Sequence, residues 1–501
     1  MLIICGIFAT TGFLNKTEMD PVLSSMKHRG PDEGKDVRLN HFHLGHQRLS
    51  IIGLDDGIQP ITNKGETKWV VVNGEVYNYP QLKQKYEDKL LTKSDSEIVL
   101  KLYEDKGVDG IMKLDGMFAF FLADDENNTF VAGRDTLGIK PLYYAKDENG
   151  EYVFASELKT LYLMTEDVYE FPAGHYYTPE TGFVCYREIQ QPEDMREPDQ
   201  EAICETINDT LTHAVKKRLL SDVEVGVLLS GGLDSSLIAA IAKEHYEGQT
   251  PLKSFCVGSE GSEDVLRARE VAKAIGTDHY EYIYTKEELV EVIRTVIYHL
   301  ESYEPSLVRS ALPNYFVSKL ASQHVKVILS GEGADELFAG YDYLKDYNTT
   351  EVLNDEIIRI INSLHNINLQ RADRMSMAHS LELRVPFLDL KLIDEALKIP
   401  AELKLHKEGQ MEKTILRRAF DGVLPESVLW RKKEEFSEGS GALDILEQHA
   451  NETISDEELK TYQQEATVEL RSKQEALYYK IFKELFPSRS AVETVGKWAT
   501  A

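Results

Sequence analysis

The residues best suited to chemistry stand together at Ser230-Gly-Gly-Leu-Asp-Ser-Ser236. Adjacent glycines let a ligand approach the backbone closely. A Gly-rich turn that opens a helix aims several N–H groups at one point, which favours an anion. Ser230, Ser235 and Ser236 add hydroxyl donors, so the loop is expected to hold phosphate. No Gly-Lys-Ser/Thr follows, so it is not a Walker loop. Asp234 would repel a nucleotide unless a cation lay between them, which points to Mg²⁺ shared by phosphate and carboxylate oxygens. The plainer use of Asp234 is as a helix N-cap.

A second loop, Ser330-Gly-Glu-Gly-Ala-Asp-Glu336, brings Glu332, Asp335 and Glu336. These also suit a solvated acidic turn whose carboxylates favour a helix start. In the first half the candidates are Cys5, Arg48, Asn73, Gly74, Glu75 and Asp95. Each has an ordinary alternative: Cys5 as a small core residue, Asn73-Gly74 as a tight hairpin turn, Asp95 as a helix cap. Arg384, Lys413, Lys432 and Lys433 are basic groups able to neutralise pyrophosphate in an acidic chain.

Elements must position these groups. The apolar run Val223–Leu229 reads as a buried strand, and Asp234–Lys243 has helix composition. Strand and helix patterns then alternate: Leu252–Val257, Glu263–Ile275, Tyr280–Tyr284, Lys286–Leu300 and Val325–Leu329. Such alternation implies a parallel sheet with helices on both faces and ligands at the strands' carboxyl ends. From about Leu353 the chain reads as mostly helical. Before residue 186 it shows short β runs broken by Gly and Asn/Asp turns, with Ser94-Asp-Ser-Glu97 as a capping box for one helix. The predicted fold is therefore α+β, then an α/β doubly wound parallel-sheet domain with a helical C-terminal part. The polar stretch 187–200, with two prolines, reads as a linker between domains at 5–186 and 201–501.

Cys5-Gly-Ile-Phe8, His28-Arg-Gly-Pro-Asp32, Gly45-His-Gln-Arg-Leu-Ser-Ile51, Asn73-Gly-Glu75, Ser94-Asp95, Gly133-Arg-Asp135 and Ala155-Ser-Glu157 follow in the order seen in class II glutamine amidotransferase domains. The first half resembles these N-terminal-nucleophile glutaminases, which implies two packed antiparallel sheets. It also implies that the Cys5 thiol attacks the amide of glutamine, with the cysteine's own α-amino group as base. Asn73 and the Gly74 N–H would form the oxyanion hole. Arg48 would hold the α-carboxylate as a fork, within a glutamine site of Arg48, Leu49, Ser50, Ile51, Ile52, Asn73, Gly74, Glu75 and Asp95. In that family the cysteine begins the mature chain, whereas Met1-Leu-Ile-Ile4 precede it here. Processing before Cys5, or a start at Cys5, is the expectation.

The loop SGGLDSS matches the pyrophosphate loop of the ATP pyrophosphatases, and the second half resembles the synthetase domain of glutamine-hydrolysing asparagine synthetases. The resemblance implies ATP as a substrate held by Leu228, Ser230, Gly231, Gly232, Asp234, Ser235, Ser236, Val257, Ser330 and Gly331. It implies Mg²⁺ on Asp234 and Asp335, catalytic roles for Glu332 and Lys433, and aspartate near Arg309 and Ser306. Where the family has two threonines ahead of Ile-Arg, this chain has Ser306 and Leu307. The implied reaction adenylates aspartate and passes glutamine-derived ammonia to the adenylate. The alternatives are an amide ligase for another carboxylate, an ammonia-dependent synthetase with a silent glutaminase, and a non-catalytic nucleotide-binding protein.

Composition narrows the classes. Lys and Arg number 56 against 85 Asp and Glu, a net charge of −29, which disfavours nucleic acid and anionic membranes as partners. Four scattered cysteines without a CxxC pair indicate neither a zinc site nor a disulfide framework. The apolar start lacks a basic n-region, so no signal peptide is expected. A cytoplasmic enzyme with glutamine, aspartate and ATP as its partners fits, with a homodimer as the assembly to test.

Overall fold

The computed structural model describes residues 3–51, 57–347, 349–405, 411–431 and 443–498, with side chains from residue 6 onward at the start and from 446 onward in the last stretch. The first half holds twelve strands: β1 (Ile3–Thr10), β2 (Glu33–Arg38), β3 (His43–Ser50), β4 (Ile61–Thr62), β5 (Lys68–Val76), β6 (Gly116–Asp124), β7 (Thr129–Arg134), β8 (Tyr143–Lys146), β9 (Tyr152–Ala155), β10 (Val168–Glu170), β11 (His175–Thr178) and β12 (Gly182–Cys185). They form two antiparallel layers. One runs β2-β3-β1-β9-β8-β10, the other β4-β5-β6-β7-β11-β12. A single pair, Ile3 opposite Gly74, joins them into one network.

The alternation of side chains along each strand explains the layering. Ile7, Ala9, Leu44 and Phe154 of the first layer pack with Val71, Phe121, Phe130 and Ala132 of the second. On the far face of the second layer, Val70, Val72, Phe118, Phe120 and Leu122 meet Ile98, Val99 and Leu102 of the helix Glu97–Lys106. The helix Lys16–Ser25 covers the first layer with Met19 and Val22. Its Asn15 and Glu18 form a reciprocal capping box.

The capping box expected at Ser94–Glu97 does not form. Ser96 is the N-cap residue and makes no side-chain cap bond. Glu97 instead accepts from the Leu91 and Thr92 N–H groups, at 2.8 and 2.7 Å. The carboxylate therefore orders the preceding turn rather than the helix end.

After 199 the chain forms the helix Gln200–Arg218, capped by Asp199. Five strands follow: β13 (Val225–Leu228), β14 (Lys253–Gly258), β15 (Asp278–Ile283), β16 (Val327–Leu329) and β17 (Glu382–Arg384). All pair in parallel, in the order β15-β14-β13-β16-β17. The chain crosses to one side after β13 and to the other before β16. That is a topological switch point, the place where open α/β sheets bind ligands. The helices Glu263–Ile275 and Lys286–Leu300 have the bounds their apolar spacing predicts. Among the described residues no helix is long and apolar enough to cross a membrane.

Buried ion pairs join the halves. Arg29 meets Asp373 at 2.8 Å and Glu157 at 2.9 Å, Lys140 meets Asp373 at 3.3 Å, and Arg374 meets Glu157 at 3.1 Å and Glu301 at 2.8 Å. Opposite charges this deeply desolvated hold one another in place, and removing any partner strands the rest.

Candidate functional site

Two sites emerge, one in each half. In the first, antiparallel register sets the geometry. β1 places Cys5 opposite Arg48 and Ile4 opposite Leu49 on β3, and β5 brings Gly74 opposite Ile3. Asn73 and Glu75, two residues apart on β5, face the same side and are fully buried. Asn73-Gly74 thus lies inside a strand paired with β6, not in a hairpin turn. Gly74 has φ of +138°, and a Cβ there would lie 1.9 Å from the Met117 carbonyl oxygen. Only glycine fits this point.

Asp95 does not cap the helix. It accepts from the Val76 N–H at 2.9 Å and so ties the end of β5 to the turn ahead of the helix. Burial pushes its carboxyl up to about 6. Glu75 is raised further, again by burial, although Arg384 of β17 lies 3.0 Å from it. Leu49 and Ile51 are buried with the core, and the Ser50 N–H donates to Asp32 at 2.8 Å. The Cys5 side chain and Ile52 lie outside the described residues.

The second site is a cavity of about 550 Å³ at the carboxyl ends of β13, β14 and β16. Leu228, Ser230, Gly232, Asp234, Ser235, Val257, Ser330, Gly331, Glu332 and Asp335 all line it, which brings together segments far apart in the sequence. Gly231 and Ser236 shape the loop from behind. Gly231, at φ +74°, presses on the helix Glu263–Ile275, where a Cβ would lie 2.6 Å from the Ala268 nitrogen. Ser236 donates to the Gly232 carbonyl at 2.6 Å. Ser230 and Ser235 share a hydroxyl contact of 3.1 Å that holds both at the loop's mouth.

Asp234 and Asp335 converge. Lys413 Nζ sits between them, 2.6 Å from one carboxylate and 2.7 Å from the other. The two carboxylates lift the lysine above its ordinary range in spite of full burial. Gly340 permits this approach, since a Cβ there would lie 2.1 Å from Asp335 Oδ1. Glu336, buried beside Asp335, is raised by burial to about 7. It accepts from the Tyr341 hydroxyl at 2.7 Å and from Asn368 at 3.2 Å. Arg371 pairs with Glu332 on the cavity wall.

Not every expected residue reaches this cavity. Arg309 turns to Glu475, 3.4 Å away, and donates to Ser306 Oγ at 3.3 Å; it is not among the lining residues, whereas Ser306 and Leu307 are. Arg384 is not a pyrophosphate group. It is the last residue of β17, and its buried side chain bonds to Glu382 and to the Arg218 and Leu220 carbonyls, because its strand completes the sheet there. Lys432 and Lys433 lie outside the described residues. Among the described residues no cluster of three or more His, Cys, Asp or Glu stands ready for a metal. Sequence reading gave no role to Arg371, Asn368, Tyr341 or Trp498, all of which line the cavity. Arg371 and Asn368 were visible only as part of a polar helix, and nothing local marked Trp498.

A layered amide-hydrolase-like half and a phosphate-cradling α/β half on one chain define a two-site class of ATP-dependent amidotransferase architecture. The comparisons agree with it. A model described as a glutamine amidotransferase domain matches residues 4–184, and one described as asparagine synthase matches 206–357 and 345–500. Asparagine synthetase B [glutamine-hydrolyzing] of Escherichia coli is 41% identical over 493 residues, covering 94% of this chain and 88% of its own. A probable asparagine synthetase [glutamine-hydrolyzing] of Schizosaccharomyces pombe is 39% identical, covering 94% and 91%. An asparagine synthetase [glutamine-hydrolyzing] of Asparagus officinalis is 39% identical, covering 98% and 87%. The chain belongs to the asparagine synthase family and carries a glutamine amidotransferase domain.

Proposed function

We propose that this chain makes L-asparagine from L-aspartate, with ATP activating the acid and glutamine supplying the nitrogen. The observation that carries the reading is the convergence of both Gly-rich loops, Lys413 and Glu332 on one cavity, in a chain that also holds Asn73, Gly74, Glu75 and Asp95 around the pairing of β1 with β3 and β5. We divide the chain accordingly, with a glutaminase at 5–186, a linker at 187–200 and a synthetase at 201–501; the antiparallel strands end at Cys185 and the first helix of the second half begins at Gln200.

In the glutaminase, Cys5 attacks the amide carbon of glutamine. The Asn73 amide and Gly74 N–H receive the oxyanion, a contribution of roughly 100-fold or more per donor. Arg48 holds the α-carboxylate, while Glu75 and Asp95 accept from the α-ammonium. The α-amine of Cys5 takes the thiol proton, so the active chain begins at Cys5. Mass spectrometry of the active protein tests this, and full glutaminase activity from a chain retaining residues 1–4 contradicts it.

In the synthetase, Ser230, Gly232 and Ser235 cradle the phosphates. A side-chain carboxylate of aspartate attacks the α-phosphorus, pyrophosphate leaves, and ammonia then displaces AMP from the acyl carbon. Asp234 and Asp335, hard oxygen donors close enough to share one Nζ, would hold Mg²⁺, which would supply charge neutralisation for the leaving pyrophosphate. Lys413 and Lys433 add positive charge to the leaving pyrophosphate.

The test is an assay of ATP, Mg²⁺ and a panel of acids with glutamine or ammonium, reading amide, AMP, pyrophosphate and glutamate. A second reading, amidation of another carboxylic acid, is favoured by one observation: Leu307 gives the cavity an apolar wall where a threonine was expected, and Arg309 faces Glu475. Turnover of another acid but not aspartate selects it.

A further inference from the structure

We infer that the segment Ser488–Trp498 closes the cavity on the side of Tyr341 and Arg371 and protects the activated acid from water. Trp498 lines that cavity together with Tyr341 and Arg371. Its ring meets Tyr341 edge to face, with centroids 5.8 Å apart and planes at 84°. Tyr341 in turn donates to Glu336 at 2.7 Å, so the indole abuts the acidic wall rather than open surface. An aromatic ring placed there removes much water-accessible area with few rotatable bonds.

The segment reaches the cavity by a fixed path. Ser490 Oγ donates to the Glu166 carbonyl at 2.6 Å and accepts from the Val168 N–H at 3.2 Å, which anchors the segment on the first half. Val492 and Val495 are buried along the way. Gly496 lies flush on Asn366, where a Cβ would come within 2.5 Å of its carbonyl oxygen. Asn366 lies two residues ahead of the helix Asn368–Met377, which carries Arg371. Bonded and packed at these points, the segment presents Trp498 to the cavity beside Tyr341.

Its chemical use follows from the intermediate, and so it rests on the reading proposed above. An acyl adenylate is a mixed anhydride. Water attacking the acyl carbon breaks the acyl C–O bond to phosphate, AMP departs with the electron pair, and the free acid and a proton are returned. ATP is then spent without amide. Excluding water from a reactive intermediate is a recognised function of closed active sites.

The experiment counts AMP formed per asparagine formed, with aspartate, glutamine, ATP and Mg²⁺ and the full chain. Wild type gives one AMP per asparagine. Trp498→Ala is expected to give about two or more, and Gly496→Val, which pushes the segment off Asn366 without altering the indole, is expected to do the same. Trp498→Phe keeps a ring and stays near one. Glutamine hydrolysis is retained in all three, which verifies folding. A count of one in both Trp498→Ala and Gly496→Val, even with slower turnover, overturns the inference. A wild-type chain that makes no asparagine defeats the proposed function instead, so the two failures are distinct.

Discussion

Arg384 of β17 lies 3.0 Å from Glu75 of β5, and both side chains are fully buried. The fifth strand of the parallel sheet therefore touches a residue of the proposed glutamine site directly. Arg384 also pairs with Glu382. Its removal leaves two carboxylates buried in want of charge. Arg384→Met is expected to destabilise the protein by about 3–5 kcal/mol, read by urea unfolding, and to weaken glutamine hydrolysis although Arg384 lies on the synthetase sheet. Unchanged glutaminase kinetics would separate Glu75 from this pair.

Lys413 separates two carboxylates that would otherwise repel. Lys413→Ala is expected to lower aspartate-dependent pyrophosphate release by about 100-fold or more and to leave glutamine hydrolysis intact. Steady-state assays of the two half reactions check this. Loss of both activities together would instead mean that the lysine supports the fold.

Asp95 ties pH to both stability and activity. Its folded value of about 6 lies above the ordinary 3.8, so the folded state binds the proton more tightly than the unfolded chain. Stability from this group is complete at low pH and falls as pH rises from about 4 to 6. Asp95→Asn escapes that loss. It is expected to be more stable than wild type at pH 7.5 by up to about 3 kcal/mol, with the gap closing near pH 4, as read by denaturant unfolding at each pH. In the proposed glutamine site Asp95 accepts from the α-ammonium, so the same substitution should raise the KM for glutamine. A gap independent of pH would show that Asp95 is not perturbed.

Gly74 has no room for a methyl group, with Met117 O at 1.9 Å from the position of its Cβ. Gly74→Ala is expected to break the β5–β6 pairing locally and abolish glutamine hydrolysis, while ammonium-supported synthesis persists. Amide hydrogen exchange across Val72–Val76 and the ammonium assay read both effects.

Much of this was legible in the chain itself, and the exceptions have physical causes. The helices Glu263–Ile275 and Lys286–Leu300 were legible from their pattern alone; in the structure Gly276, left-handed, ends the first and Thr285 caps the second. The loop Ser230–Ser236 was legible because a backbone cradle for an anion needs small residues in a row. Strand β17 was not: Glu382-Leu-Arg384 looks like surface, and Arg384 is held there by Glu382 together with Glu75 and main-chain carbonyls from distant segments. The helix Asn368–Met377 hid its meaning similarly. Nearly every residue in it is buried despite its polarity, with Arg371 serving the cavity and Asp373 and Arg374 serving the ion network between the halves. The placement of Arg309 depended on Glu475, more than 160 residues away. Local pattern carries elements and motifs; long-range charge pairing decides which way a polar side chain turns.

The central claim is that one chain moves nitrogen from glutamine onto an acid primed by ATP. Glutamine labelled with ¹⁵N in its side-chain amide, supplied with aspartate, ATP and Mg²⁺ in a large excess of unlabelled ammonium at a pH that keeps free ammonia low, tests it directly. Asparagine carrying the label, formed with AMP and lost in Cys5→Ala, is the predicted result. Unlabelled product only, or ADP in place of AMP, would contradict the account.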